Sequence, residues 1–266
     1  MEKEIINNTS VIKKIFIILI IIFSAFIIYY TIISMISPVR KLSAINNEFS
    51  VKQTEKTIVD ERIFSDSAYL KLLKEKAFLQ SRIIMAETDS IYMTINLTDS
   101  TANIEISGVI VHKAKMSSLQ ISKILIKGDE NIILSMLSSP FTISGTYSTI
   151  RKEPLLIKMA PKDTSEYIPD VLPDTSLVEP VNYILEMTNG TRIYVYQEEN
   201  EKFSDRKNLF IFNIKDRFRN TCSSLKSAIL LKIPEYHPFI KMKLPRADAK
   251  IIYRAIPRYG QVAIYR

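Results

Sequence analysis

Residues 181–197 read VNYILEMTNGTRIYVYQ. Two runs of alternating apolar and aromatic residues flank Asn189-Gly190, a dipeptide suited to the positive φ angles of a two-residue hairpin turn, so the stretch predicts an antiparallel β-hairpin. A second period-two region lies upstream. The pattern SIYMTINL, a polar turn at Thr98–Thr101 and then ANIEISGVIVHKAKM predicts a first hairpin from Ile91 to Met116. Further strands are expected at Ile121–Ile126, Phe141–Tyr147, Leu155–Met159 and Leu209–Ile214, and short helical spacing at Asn131–Leu137. Lys215–Lys232 reads as an amphipathic helix through Phe218, Leu225, Ile229 and Leu230. Between Ala160 and Pro180 four prolines sit among five acids, which rules out a regular element and predicts a surface loop. The acids match no calcium-loop spacing. Strands and helices in mixed order, with no internal repeat, predict one α+β domain of roughly 180 residues, mostly β with a few helices, over residues 89–266.

Ahead of that domain the pattern changes. Ser65-Asp66 precedes Tyr69, Leu72, Leu73, Leu79, Ile83 and Ile84 at helical spacing, so an amphipathic helix is expected from about Asp66 to Glu87, packing on the domain. Residues 37–60 are polar and read as a stalk. From Ile15 to Ile36 the chain has 22 residues without a charge, and as a helix this stretch reaches about 33 Å, enough to cross a bilayer core. The following Ser37-Pro38-Val39-Arg40 offers no small-residue cleavage site, so an uncleaved transmembrane anchor at 15–36 is predicted. Lys3, Lys13 and Lys14 precede it, and Arg40, Lys41, Lys52 and Lys56 follow, so loop charge does not orient it. A short tail, residues 1–14, before one span and the folded mass behind it fits a cytoplasmic N-terminus and an exported C-terminal domain.

Composition removes several classes. The 266 residues carry 36 Lys+Arg against 28 Asp+Glu, a net charge of +8, with 47% hydrophobic residues, one cysteine, two histidines and no tryptophan. A disordered chain would be poorer in large apolar residues, and a disulfide scaffold needs paired cysteines. Cys222, His112 and His237 cannot assemble a four-ligand zinc site within one chain. Glycine-rich phosphate loops, a His-Glu-x-x-His helix and a Gly-x-Ser-x-Gly elbow are absent, and no cofactor or metal is implied.

Residues 240–266, IKMKLPRADAKIIYRAIPRYGQVAIYR, carry a resemblance. They look like the end of the L,D-transpeptidase catalytic domain, where Ser-His-Gly-Cys-Ile-Arg-Met is followed by a helix containing Asp-Ala-x-x-Leu-Tyr and a closing Gly-x-x-Val strand. Ile240-Lys241-Met242, Asp248-Ala249, Ile252-Tyr253 and Gly260-Gln261-Val262 fill those places, and the strands around Asn96–Ser107 are similar to the family's opening pair. The resemblance implies a domain of that type. It places His237 at the family's histidine, Pro238 at its glycine, Phe239 at the cysteine nucleophile and Lys241 at the arginine. Phenylalanine cannot attack a carbonyl, and Pro238 lacks an N–H for an oxyanion. The family's further histidine would fall around Ile214–Ser224, where this chain has none.

Cys222 is the one thiol that could restore such chemistry, 15 residues before His237, and it reads more simply as a small packing residue. His112 sits in a strand and reads as structural or solvent-facing. Residues 232–266 carry 8 basic and 2 acidic residues, and Arg246, Lys250 and Arg254 recur every four positions on the expected helix. That stripe is a candidate binding surface. In an exported domain it would meet peptidoglycan, another anionic envelope component, lipid headgroups or an acidic partner rather than nucleic acid. The expectation is therefore a single-pass protein of the inner membrane with a periplasmic, catalytically inactive L,D-transpeptidase-like domain that binds or scaffolds at the cell wall. The alternatives are an active hydrolase or transferase using Cys222, and a structural partner in a membrane complex containing a cell-wall enzyme.

Overall fold

The computed structural model describes residues 2–50, 67–152, 179–200 and 202–266. They divide between two compact units, one formed by the N-terminal helix and residues 215–236, the other by the sheet and the rest of the chain.

Helix α1, Glu2–Ser50, runs without interruption through Pro38. Its segment Phe16–Phe49 is long and apolar enough to cross a membrane, and Phe16 to Phe23 leave more than half of their surface exposed. The first part of the expected stalk, residues 37–50, is a continuation of this helix. Ile33, Ser37, Ile45 and Phe49 recur on one face and are buried, so one apolar stripe in a polar sequence continues the helix to Ser50. The rest of the expected stalk, and the Ser65-Asp66 cap, lie outside the described residues.

In the sheet unit, α2 (Ser67–Ala86) precedes β1 (Ile91–Asn96), β2 (Thr101–Ile106), β3 (Val109–Lys115) and β4 (Ser118–Ile121). Helices α3 (Lys123–Lys127) and α4 (Glu130–Leu137) lead to β5 (Phe141–Ser148), β6 (Asn182–Met187) and β7 (Arg192–Gln197). Helix α5 (Phe203–Ile229), β8 (Phe239–Leu244), α6 (Arg246–Ala255) and β9 (Gln261–Tyr265) complete the order. The strands form one mixed sheet, β3-β2-β1-β9-β5-β6-β7-β8-β4. Only β1–β9 and β7–β8 pair in parallel among the described strands. This α+β architecture agrees with the sequence expectation in class, and four local differences have physical causes.

The expected single strand after Thr101 folds back at Ser107-Gly108, whose φ angles are 48° and 84°. Apolar residues on both sides conceal this turn in the sequence. Distant groups hold it: Arg82 Nη2 donates to the Gly108 carbonyl at 2.9 Å, and the Gly108 N–H donates to the Tyr92 hydroxyl at 2.9 Å. The strand expected at 121–126 is instead the end of β4 followed by α3, which buries Ile124 and Leu125. The hairpin of residues 181–197 forms as expected, but only Gly190 in its turn has positive φ, at 81°. Pairing of Glu186 with Arg192 and the Met187 N–H to Thr191 carbonyl bond leave a three-residue loop with glycine in the left-handed position. Finally, 209–214 is not a strand, because α5 runs through it. Asp205, Phe212, Asn213, Asp216, Arg219, Asn220 and Ala228 take its sheltered side at helical spacing. The strand expected at 155–159 and most of the 160–180 loop lie outside the described residues.

Helix α2 packs on the sheet, but through Ala77, Phe78, Ser81 and Met85 and not through the expected face, whose Leu72, Leu79, Ile83 and Ile84 are exposed. Phe78 meets Tyr265 edge-on at 5.4 Å, and Lys74 pairs with Glu130 of α4 at 3.1 Å. The Glu105 carboxylate is buried and takes charge-assisted hydrogen bonds from Arg82 Nε at 2.6 Å and Thr94 Oγ1 at 2.7 Å.

Candidate functional site

Parallel pairing of β7 and β8 sets Arg192 beside Phe239, Tyr194 beside Lys241 and Tyr196 beside Lys243. Paired residues share a face of the sheet, so β7 and β8 build an aromatic and cationic column on one side. Phe239 meets Tyr194 edge-on, with centroids 6.5 Å apart. Lys241 Nζ stands over both rings, 4.7 Å from the Phe239 centroid and 5.2 Å from that of Tyr194, a cation–π arrangement on two rings. Tyr196 stacks on Tyr194 at 6.2 Å and is capped by α5 through Phe212 at 6.3 Å and Asn213 Oδ1 at 3.2 Å. Arg192 completes the column by pairing with Glu186 of β6 at 2.9 Å.

The residues before β8 are tied to the turn of the preceding hairpin. His237 Nδ1 lies 3.0 Å from the Gly190 carbonyl, which holds the ring as a hydrogen-bond donor through that nitrogen. The Pro238 carbonyl accepts from the Arg192 N–H at 2.8 Å. His237, Pro238, Phe239 and Lys241 thus follow one another on β8 and its approach, with Tyr194 as the common neighbour of Phe239 and Lys241. Sequence reasoning missed Tyr194 as a member of this cluster. The alternation Tyr194-x-Tyr196 placed both on one strand face, but nothing local says which other strand lies beside them.

The basic residues of α6 are engaged within the fold. Arg246 Nη2 pairs with the buried Asp205 carboxylate at 2.7 Å and donates to the Glu199 carbonyl at 3.1 Å. The Arg246 N–H, in the first turn of α6, donates to Glu199 Oε2 at 2.8 Å. Lys250 lies 3.9 Å from Glu179. Arg254 is half-buried and also has interaction partners. Arg246, Lys250 and Arg254 therefore form a face that is partly neutralised by carboxylates from neighbouring segments.

His112 on β3 pairs with Asp248 of α6 at 3.1 Å, a contact that fastens the helix to the second hairpin. Cys222 is an exposed free thiol on α5. Burial pushes the Lys152 ammonium below its usual range, with Arg258 adding repulsion. Burial likewise pushes the Tyr183 phenol far up, its ring packed 4.9 Å from that of Tyr253. Among the described residues no group of three or more His, Cys, Asp or Glu side chains is placed to hold a metal ion.

No protein-family model, curated protein or solved structure matches this chain.

Proposed function

We propose that the chain is a single-pass inner-membrane protein whose exported domain is of the L,D-transpeptidase type without the nucleophile, and that it binds or scaffolds at the cell wall. The observation that carries this reading is Phe239. At the place where the family has its cysteine, a benzyl ring packs beside Tyr194 under the Lys241 ammonium. Acyl transfer of that kind needs a thiolate, a base and N–H donors for the oxyanion. No thiol stands at 239 and Pro238 contributes no N–H, so of these groups only the histidine position is kept, with Nδ1 of His237 on the Gly190 carbonyl. The order β8, α6, β9 supports the same reading, because residues 239–265 fold as the strand, helix and closing strand that the motif implies. α1 supports the anchor by its length and apolarity.

Retention of the purified, detergent-solubilised chain on isolated peptidoglycan tests binding. Saturable retention that weakens with added salt is the expected result, and absence of retention removes the binding reading. Because Arg246 is paired with buried Asp205, Lys250→Glu is the variant that changes surface charge without opening an ion pair inside the fold. Incubation with a carbapenem or an acyl-donor peptide, followed by mass spectrometry of the intact chain, tests the absence of catalysis. An acyl adduct on Cys222 would replace this reading with the enzyme, and crosslinked recovery of an active cell-wall enzyme without peptidoglycan retention would replace it with the scaffold in a membrane complex.

A further inference from the structure

Helix α5 ends against its own chemistry. Its last turn closes with the Leu231 N–H donating to the Ala228 carbonyl and the Lys232 N–H to the Ser227 carbonyl, which places Leu231 at the left-handed position of the helix stop. Glycine is the usual residue there, yet Leu231 occupies it with φ 56° and leaves 79% of its surface exposed. Ile229 and Leu230 beside it are also exposed, at 64% and 57%. One turn and three turns back, Leu225 and Phe218 extend the same side of the helix, Phe218 at 70%. Such a concentration of large apolar side chains at a strained stop has no partner among the described residues.

Its position says what covers it. Three residues further on, the Pro234 carbonyl accepts a 2.6 Å hydrogen bond from the buried Ser37 hydroxyl, and Glu235 lies 3.6 Å from Lys41. Ser37 follows the apolar run of residues 15–36 and stands three residues before Arg40, the first charge after that run, so it lies close to the level at which hydrocarbon gives way to headgroups. Three peptide steps span at most about 11 Å. Leu231 therefore lies within about one headgroup layer, plus the outermost part of the hydrocarbon, of the level of Ser37. Exposed Lys226 and Lys232 flank the apolar group and suit the anionic headgroups of that layer.

We infer that Ile229, Leu230 and Leu231, with Leu225 one turn back, form a lipid-contacting foot, which dips into the bilayer surface beside the point where α1 leaves it. The occupant is lipid because the patch is continuous, through the Ser37–Pro234 contact, with the end of the membrane span. This inference rests on the anchor reading of α1. The foot adds a second membrane attachment, which restricts rotation of the loop and helix end about the single span.

The absence of tryptophan from the chain makes a clean test possible. Single-tryptophan variants Leu231→Trp, Leu230→Trp and Ile28→Trp of the full chain are reconstituted into vesicles of phosphatidylcholine and phosphatidylglycerol whose acyl chains are brominated at shallow or deep positions. Ile28→Trp reports the span itself. The expected result is strong quenching of Ile28→Trp, and quenching of Leu231→Trp and Leu230→Trp to at least half that extent, greater with shallow than with deep bromine. Quenching of Ile28→Trp with no bromine quenching at 230 and 231 overturns the foot and leaves the anchor standing. Iodide access then shows the foot free in water, and joint protection from iodide and bromine shows it covered by a second copy or another protein. If Ile28→Trp itself is unquenched, the anchor reading fails and the foot with it.

Discussion

Strands β7 and β8 present two different surfaces from one backbone. On one side Ile193, Val195, Ile240 and Met242 are wholly buried, joined by Tyr183 and by Ala249, Ile252 and Tyr253 of α6. On the other side Arg192, Tyr194, Tyr196, Phe239 and Lys241 form the aromatic and cationic column, half-buried except for the buried Tyr194 and partly capped by α5. The first side is an ordinary core, stabilised by removal of apolar area from water. The second is held by ring edges, a cation over two rings and hydrogen bonds to backbone, each of which is weaker than full apolar burial. Side chains one residue apart thus answer to different rules, and it is the second side that carries Phe239, the residue on which the proposed function rests.

The largest effect that would sharpen this contrast belongs to the core side. Ile240→Ala should lower stability by about 3–4 kcal/mol, since Ile240 is fully buried between packed neighbours. The measurement is the urea midpoint of the solubilised chain. Phe239→Ala, one residue away on the other side, should cost only about 1–2 kcal/mol, because the ring is half-buried and Lys241 can return to water. A loss equal to that of Ile240→Ala would break the comparison and make Phe239 a core residue.

The smallest effect is a gain. The Tyr183 hydroxyl is buried and has no hydrogen-bond partner among the described residues, so Tyr183→Phe should raise stability by about 1 kcal/mol near neutral pH. Its pH dependence has a definite sign. The folded-state phenol ionises at higher pH than the unfolded one, so the unfolded state loses the proton first. Stability is undiminished below the unfolded value near pH 10 and falls as pH rises above it. Tyr183→Phe removes this phenol's share of the alkaline loss, and unfolding midpoints at pH 9 and pH 11 for both forms check it.

Legibility in the sequence followed the range of the interactions involved. The 181–197 hairpin, α2, α4 and the uncharged length of α1 were readable because periodicity, a glycine turn or a cap such as Asp129 decides them within a few residues. The Ser107-Gly108 turn was not, since Arg82 and Tyr92 hold it from elsewhere in the chain. Helix α5 was misread at 209–214, where Leu-Phe-Ile-Phe-Asn-Ile fits a strand locally and only a sheltered polar side running from Asp205 to Ala228 decides for helix. The basic stripe of α6 was visible as a stripe, but the carboxylates that meet it, Asp205, Glu199 and Glu179, come from segments far away in sequence.

By itself, then, the sequence determined what short-range physics controls: the alternation that makes strands, the apolar length that suits a bilayer, and the residue types that stand at 237–241. Only the tertiary structure decided what surrounds them. The parallel pairing of β7 with β8 set Tyr194 and Lys241 against Phe239, and the Ser37–Pro234 contact brought an exposed apolar helix end near the level of Ser37 on α1. Both are contacts between residues distant in the chain, and their partners are chosen by packing and not by local preference.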